Sequence, residues 1–439
     1  MILNWSNEFG AAGVAIYGLV TLLLLVTLVP GTILVIGGLT GTPRRKHSVG
    51  CWLCFFSVSS LSWFLLVYSL AFASTFDPNE PKAVAGAPMG MSEMIEQNVN
   101  TVDRRHLMGR GGFIGNLDFA FFRTLSPQGN SDQPMFSSRR PFHQIPHALF
   151  QVYQLAIYLA ATGAMAVAFL TRWSWLRSGT AALAWGAVVY APLVHWLWGD
   201  GWLSMQGAFD FGGGMFFLIV GCSLAATLKA ETPAYPSVTN SPPASGDQCI
   251  RAAAITLLLA GATLLNTTFS LPVPGVQAVA LFNGVSSVAT ACAVWCGLSR
   301  LTQSGISNNT GIHGAIAGLS VACGASGVIV PVSGLIVALA GASLGFGISA
   351  LAARLPQHRG AIICLACMAS PAAVGLLATG IFGHENYGVR HWNGATIFGL
   401  AEGNMSQLPA QVLMVGVVAA SAFAGSYVTR FIGQRLSRQ

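Results

Sequence analysis

The chain has 439 residues, of which 53% are hydrophobic and only 8% are charged. A soluble protein carries about 25% charged residues, so this composition excludes a soluble globular enzyme and an intrinsically disordered chain. The net charge of +7 is spread along the sequence without the basic clusters of a nucleic-acid-binding surface, which excludes a nucleic-acid partner. The remaining class is a polytopic membrane protein whose surroundings are the lipid bilayer.

Apolar segments separated by charged or Gly/Pro-rich breaks predict eleven transmembrane helices in an all-α protein. The predicted ranges are 12–38, 50–74, 144–170, 178–198, 208–228, 251–270, 276–298, 311–328, 332–353, 360–382 and 408–432. Outside the long 75–143 segment, thirteen Lys and Arg residues fall on one side of this topology and one on the other. This asymmetry predicts an external N-terminus and a cytoplasmic C-terminus, in a cell membrane or inner membrane.

Two polar segments interrupt the predicted spans. Residues 75–143 carry both signs of charge and predict a long external loop, whereas the Pro/Ser/Thr-rich residues 230–249 predict a flexible cytoplasmic linker. The linker divides a single membrane domain, residues 1–439, into a five-span half and a six-span half. An internal structural repeat would produce two such pseudo-symmetric halves.

Asp210, in the sequence GAFDFGGGMFF, is the leading ionisable residue within the predicted spans. Such a residue is costly in a membrane and indicates a functional site, where it would orient a pore or a cation. The alternative is that its carboxylate caps backbone N–H groups at a helix N-terminus, and the two roles are compatible. Trp198 lies twelve residues earlier on the same outer face and is expected in an interfacial aromatic belt or in a cation-binding vestibule.

Catalytic and metal-binding motifs are not evident in the sequence. The nine histidines form no i, i+4 pair within the predicted spans, and most of the nine cysteines lie singly in apolar segments. The chain also has no zinc-protease motif, P-loop or nucleophile elbow. We therefore expect no metal, no cofactor and no enzymatic activity.

Five segments of the chain occur in an order and at spacings that are specific when they are taken together. They are VPGTILVIGGLTGTPRRK from Val29, SWFLLVYSLAFA from Ser62, GGFIGNLDFAFF at 111–122, APLVHWLWGDGWLSMQGAFDFGGG from Ala191 and GLLATGIFG from Gly375. In this arrangement the sequence resembles the ammonium transporter family (the Amt/Mep/Rh proteins) along most of its length. The resemblance implies an eleven-helix protomer with its own central pore, assembled as a homotrimer, with ammonium or ammonia as substrate.

The resemblance also assigns individual pore positions. Family members have an outer vestibule, a gate of two phenylalanines and a pair of pore histidines. By this resemblance Trp198 and Phe269 lie in the vestibule, where Phe269 replaces a serine, and Asp210 is the required aspartate. Tyr153 and Ile157 take the two gate positions, and Leu218 and Met368 take the two histidine positions. Of the family segment around Phe269, the chain retains only Asn266.

These substitutions leave two functions open. Leu218 and Met368 offer no imidazole for hydrogen bonding or proton movement, so charge transfer through the pore is not expected, whereas neutral ammonia can pass if the lumen is open. Phe269 favours an occluded outer mouth. The first function is a transporter or channel with a modified pore. The second is a non-conducting homologue with a structural, interaction or sensory role, for which the 75–143 loop offers a surface to a protein partner.

Overall fold

Regular secondary structure in this protein is helical. The computed structural model describes residues 11–40, 49–73, 112–125, 147–199, 201–228, 245–268, 274–302, 308–387, 389 and 396–436. Within these ranges there is no strand of two or more residues, and extended backbone forms only isolated bridges such as the one between Ile329 and Gly383. A helix satisfies its backbone polar groups internally, which is what an apolar segment needs in hydrocarbon.

Eleven long helical segments, α1–α11, run through the described residues. They are α1 (Ala11–Thr40), α2 (Val49–Phe72), α3 (His147–Leu170), α4 (175–197), α5 (Gly214–Thr227), α6 (Ser245–Thr268), α7 (Pro274–Leu301), α8 (Asn308–Ala325), α9 (Pro331–Arg354), α10 (359–382) and α11 (Gln407–Leu436). Each overlaps one predicted range. Nine of them are long and apolar enough to cross a membrane. The exceptions are α5, which has only 14 residues, and α8, which begins with polar residues. The helical membrane class is confirmed, and the count of eleven spans stays a prediction.

Two predicted boundaries are wrong. Helix α6 begins at Ser245, so the last five residues of the predicted linker 230–249 are helical. The polar residues and Gly at 245–248 indicated a linker, but polar side chains are compatible with a helix that continues into water. Helix α5 begins at Gly214 and not at 208, because Gly213 has a φ of 96°, a left-handed conformation that ends helical geometry.

The described part of the predicted external loop, residues 112–125, lies against the ends of α2 and α4. The Gly115 amide donates to the Leu70 carbonyl over 2.9 Å, and the Trp196 indole N–H donates to the Phe113 carbonyl over 2.8 Å. The rest of the 75–143 segment, and residues 230–244 of the predicted linker, lie outside the described residues. The division into two pseudo-symmetric halves therefore stays a prediction.

The share of buried residues distinguishes inner helices from peripheral helices, although the two groups are similarly apolar. In α3, 94% of the most apolar 18-residue window is buried, and every residue of α5 is buried. The corresponding buried share is 72% in α10 but only 22% in α11 and 28% in α6. Because the peripheral helices expose apolar side chains, their outward faces are suited to lipid or to a neighbouring protomer. The inner helices form the region where a functional path would run.

Three helices contain a π-helical turn within the described residues. These turns are Trp63–Val67 in α2, Gly186–Tyr190 in α4 and Leu365–Ala369 in α10. A π-helical turn widens the helix locally and shifts the direction of the following side chains, and such turns are frequent at functional sites. The turn in α10 contains Met368, one of the residues singled out from the sequence.

Glycines allow the inner helices to approach closely. At the crossing of α1 and α6, a Cβ atom on Gly31 would overlap the backbone at Leu258, and a Cβ on Gly261 would overlap the backbone at Leu28. The residue numbers run in opposite directions along the two helices, so α1 and α6 are antiparallel at this crossing. Without a hydrophobic driving force in lipid, such close backbone packing is a main source of helix association.

We predict that Gly261→Ala destabilises the protein by about 1–3 kcal/mol, because the added methyl group forces α1 and α6 apart. Gly297→Ala in α7 is the matched control, since a Cβ atom there meets nothing within 4 Å. The control should be neutral, or more stable by up to about 1 kcal/mol through helix propensity. Thermal unfolding of the purified proteins measures both effects, and equal melting temperatures for the two variants would contradict the crossing described here.

Candidate functional site

Asp210 caps the N-terminus of α5 from the turn that follows α4. Its Oδ1 accepts a hydrogen bond from the Gly214 amide at 2.8 Å, and its Oδ2 accepts one from the Met215 amide at 3.0 Å. The indole Nε1–H of Trp198 also donates to Oδ2, at 3.2 Å. Asp210 is buried, and the first amides of a helix have no partner within the helix. The carboxylate therefore satisfies two of these amides and lies at the positive end of the helix dipole.

Helix α11 fixes the backbone just before Asp210. The side chain of Gln411 accepts from the Phe209 amide at 2.8 Å and donates to the Phe209 carbonyl at 2.8 Å. One turn earlier, the Gln407 side chain donates to the Gly207 carbonyl at 2.8 Å. Both glutamines are buried. Neither glutamine was predicted from the sequence, although two glutamines four residues apart at the start of an apolar helix are a signal for polar contacts on one face.

The other side of the same turn contacts α6 and α8. The Gly212 amide donates to the Cys323 carbonyl at 2.8 Å, and a Cβ atom on Gly212 would overlap the Asn266 side chain. Asn266 in turn accepts from the Ser326 hydroxyl at 2.6 Å and donates to the Ala280 carbonyl at 3.2 Å. Asn266 thus joins three helices beside the Asp210 turn. Phe269, the predicted vestibule residue, lies outside the described residues.

The side chain of Trp198 has a different partner from those of the tryptophans near it. Trp196 and Trp202 contact each other edge to face, with ring centroids 5.8 Å apart, and Phe113 lies 5.7 Å from Trp202. This group packs the 112–125 segment onto the end of α4. Trp198 is half-buried and donates instead to Asp210, so its ring is oriented by the carboxylate. This orientation is compatible with a face that receives a cation.

The predicted gate residues lie on one face of the most buried helix. Tyr153 and Ile157 are four residues apart on α3, so their side chains are neighbours along the same face. Both are fully buried, with 0% of their surface exposed. The ring of Tyr153 also contacts the ring of Tyr17 on α1, with centroids 5.1 Å apart.

The two predicted histidine positions lie on helices that pack against each other. Leu218 is on α5, one turn before Gly221, and Met368 is in the π-helical turn of α10. A Cβ atom on Gly221 would lie 2.7 Å from the Ala369 amide nitrogen and 3.0 Å from the Met368 Cβ. Leu218 and Met368 are each only 2% exposed. Both apolar side chains are therefore buried in the region where α5 packs against α10, and within the described residues water has almost no access to them or to the gate residues.

Three of the described histidines have partners elsewhere. His195 on α4 is buried, with its Nδ1 3.2 Å from the Ala71 carbonyl, and His313 on α8 contacts the Trp295 ring. His384 lies 3.3 Å from Glu402. Among the described residues, no three or more His, Cys, Asp or Glu side chains are grouped so that they could hold a metal ion.

Together, these features define a polytopic helical membrane protein. Its inner helices carry a capped carboxylate, Asp210, and closely packed apolar side chains on α3, α5 and α10. A family model for the Ammonium Transporter Family matches residues 15–437. The chain therefore belongs to the ammonium transporter family, as the sequence resemblance predicted.

Relatives and solved structures agree with this assignment. An ammonium transporter from Bacillus subtilis is 26% identical over 295 residues, which cover 66% of this chain and 68% of the relative. A putative ammonium transporter from Methanothermobacter thermautotrophicus is 22% identical over 427 residues, covering 95% and 92%. Mep2 from Saccharomyces cerevisiae has the same fold, with a TM-score of 0.74 and 18% identity over 97% of this chain and 86% of Mep2. A Sensor Amt Protein gives a TM-score of 0.70 and 18% identity, covering 97% and 95%.

We predict that Asp210→Ala destabilises the protein by more than about 2 kcal/mol, because two buried amides and one indole N–H lose their acceptor. Trp198→Phe removes a single donor and should cost about 1 kcal/mol. Asp210→Asn keeps one carbonyl oxygen, so its loss of stability should lie between those of Asp210→Ala and Trp198→Phe. The midpoints of thermal unfolding rank the three variants. Wild-type stability in Asp210→Ala would show that the carboxylate has no capping role.

Proposed function

We propose that the protein conducts neutral ammonia across the membrane and does not carry charge. The supporting observation is the packing of Gly221 on α5 against the π-helical turn of α10, in a region where Leu218 and Met368 are both buried. Aliphatic carbon and a thioether line this point of the path, and neither exchanges protons. The proposed assembly is a homotrimer with one path in each protomer, an external N-terminus and a cytoplasmic C-terminus.

The energetic difference between ammonium and ammonia supports this choice. Moving a small cation from water into an apolar contact costs many kcal/mol unless a partner compensates its charge. Neutral ammonia loses only hydrogen bonds, at a cost of a few kcal/mol. Because the path is closed to water, ammonia requires transient separation of the side chains, and its small size keeps that separation small.

The outer end of the path supports recruitment of the cation before ammonia enters. The half-buried ring of Trp198 is held by Asp210, and a tryptophan face attracts ammonium through its π-electrons. We propose that ammonium gives its proton to water there and that ammonia enters the path. On the other side ammonia takes a proton from water, so the protein moves no net charge.

The second candidate is a non-conducting family member with a structural, interaction or sensory role. The complete burial of Tyr153, Ile157, Leu218 and Met368 favours it, because a path closed at four successive points resembles a packed core. The fold is also similar to that of a Sensor Amt Protein. In this role the 75–143 loop would supply the surface for a protein partner.

Liposomes containing the purified protein separate these functions. An internal pH dye reports ammonia entry as alkalinisation, and a current recording on the same preparation reports charge. We expect alkalinisation faster than in empty liposomes and no ammonium-triggered current. The variant Leu218→His/Met368→His should add a current, because the two imidazoles create a route for a proton beside the ammonia path.

Each result has a distinct meaning. Ammonium-triggered current in the unmodified protein would contradict the neutral-cargo proposal. No alkalinisation and no current, in a protein that is monodisperse by size-exclusion chromatography, would support the non-conducting role. Leu218→Phe/Met368→Leu is the matched control, since it keeps the contact apolar and should add no current.

A further inference from the structure

Gln411 on α11 pairs with the main chain directly beside Asp210. Its Oε1 accepts from the Phe209 amide at 2.8 Å, and its Nε2 donates to the Phe209 carbonyl at 2.8 Å. That carbonyl belongs to the peptide unit that joins Phe209 to Asp210, and a peptide unit is planar and rigid. The Gln411 amide therefore fixes the main chain from which the Asp210 side chain extends.

A further contact anchors Gln411 to an inner helix. Its Nε2 also donates to the Leu376 carbonyl on α10 at 2.7 Å, and Gln411 has 0% of its surface exposed. A Cβ atom on Gly380, one turn after Leu376, would lie only 3.2 Å from the Cγ atom of Gln411. Because both Nε2 hydrogens and Oε1 have acceptors or donors, the side-chain amide is held in one orientation.

Asp210 extends this fixed arrangement to Trp198. The Asp210 Oδ2 atom accepts from the indole Nε1–H of Trp198 at 3.2 Å. The indole is a rigid plane that is attached to the main chain just after α4 and to the carboxylate at Nε1, so these two attachments set the direction of its face. A cation–π contact requires the cation over that face, within about 6 Å of the ring centroid. A shift of Asp210 would therefore turn the face away from the favourable geometry.

We propose that Gln411 is a positioning residue for ammonium recruitment and acts on Trp198 through Asp210. This role rests on the proposed function for the identity of the cation, and it extends the outer site to a residue on α11. Gln407, one turn earlier, contacts the same turn only at the Gly207 carbonyl, three residues before Asp210. Gln407 therefore supports the turn, whereas Gln411 holds the peptide unit that leads into Asp210.

The ammonium dependence of alkalinisation in proteoliposomes separates recruitment from passage. The half-saturating ammonium concentration reports recruitment, and the maximal rate reports passage. Gln411→Met keeps the length of the side chain but loses its three hydrogen bonds. We expect the half-saturating concentration to increase by about 5-fold, with the maximal rate within about 2-fold of the wild type.

A double-mutant cycle distinguishes positioning from a general loss of stability. Trp198→Phe has already lost the indole donor, so adding Gln411→Met to it should change the half-saturating concentration by less than about 1.5-fold. Gln411→Glu is a second variant, because it keeps the acceptor for the Phe209 amide while at least one of the two carbonyls loses its donor. It should raise the half-saturating concentration in the same direction as Gln411→Met.

Ser426→Ala is the matched control. Ser426 is also a buried polar residue of α11, and its hydroxyl accepts from the Trp185 indole on α4 at 2.8 Å. It lies about four helical turns from Gln411. The control should lower the melting temperature, because a buried indole N–H loses its acceptor, and it should leave the half-saturating concentration unchanged.

Ammonium binding to the purified protein gives a second readout that does not depend on flux. Ammonium chloride should raise the melting temperature saturably relative to sodium chloride at equal ionic strength, with a midpoint about 5-fold higher in Gln411→Met. Stabilisation of the wild type without alkalinisation would contradict the proposed function, and the role of Gln411 would still be decided by the two midpoints.

Three results would overturn the proposal. They are a wild-type midpoint in both monodisperse Gln411 variants, an equal effect of Gln411→Met in the wild type and in Trp198→Phe, or a wild type that ammonium stabilises no more than sodium does.

Discussion

A buried carboxylate is stable in so apolar a chain only where donors surround it, and the organisation of this site follows from that constraint. Asp210 receives two amides from α5 and the indole of Trp198 from α4. The turn that carries it is fixed by Gln411 on α11 and by the Cys323 carbonyl on α8. Asp210 thereby joins the end of α4 to α5, and the backbone of its turn joins α8 and α11 to the start of the short, fully buried helix that carries Leu218.

The proposal of a neutral cargo rests on the close packing below this turn. Glycines bring α5 against α8 and α10, because a Cβ atom on Gly214 would lie 2.7 Å from the Gly324 Cα and one on Gly221 would meet Ala369. Because the helices pack this closely, the side chains between them have no room to move permanently out of the contact. On the proposed path, Leu218 and Met368 offer neither a charge nor a proton carrier. An ion would find no compensating partner in such packing, which is why we propose a neutral cargo.

The apolar segments were enough to predict the helices, and spaced motifs were enough to predict the family. The assignment of Leu218 and Met368 to the two histidine positions comes from the family resemblance and stays a prediction. The start of α5 and the roles of Gln407 and Gln411 were not predicted. They depend on a turn whose hydrogen bonds join residues about 200 positions apart, as between Phe209 and Gln411. Local periodicity carries no information about such contacts.

The voltage dependence of ammonia entry tests the central claim, neutral cargo, most directly. Proteoliposomes with an internal pH dye can be held at 0 mV or at −100 mV by a potassium gradient with valinomycin. The account predicts equal initial rates of alkalinisation at the two potentials. A carried cation would gain about 2.3 kcal/mol from 100 mV, which is about a 50-fold change in its accumulation ratio. An ammonium-dependent signal that increases with the negative potential would contradict the account.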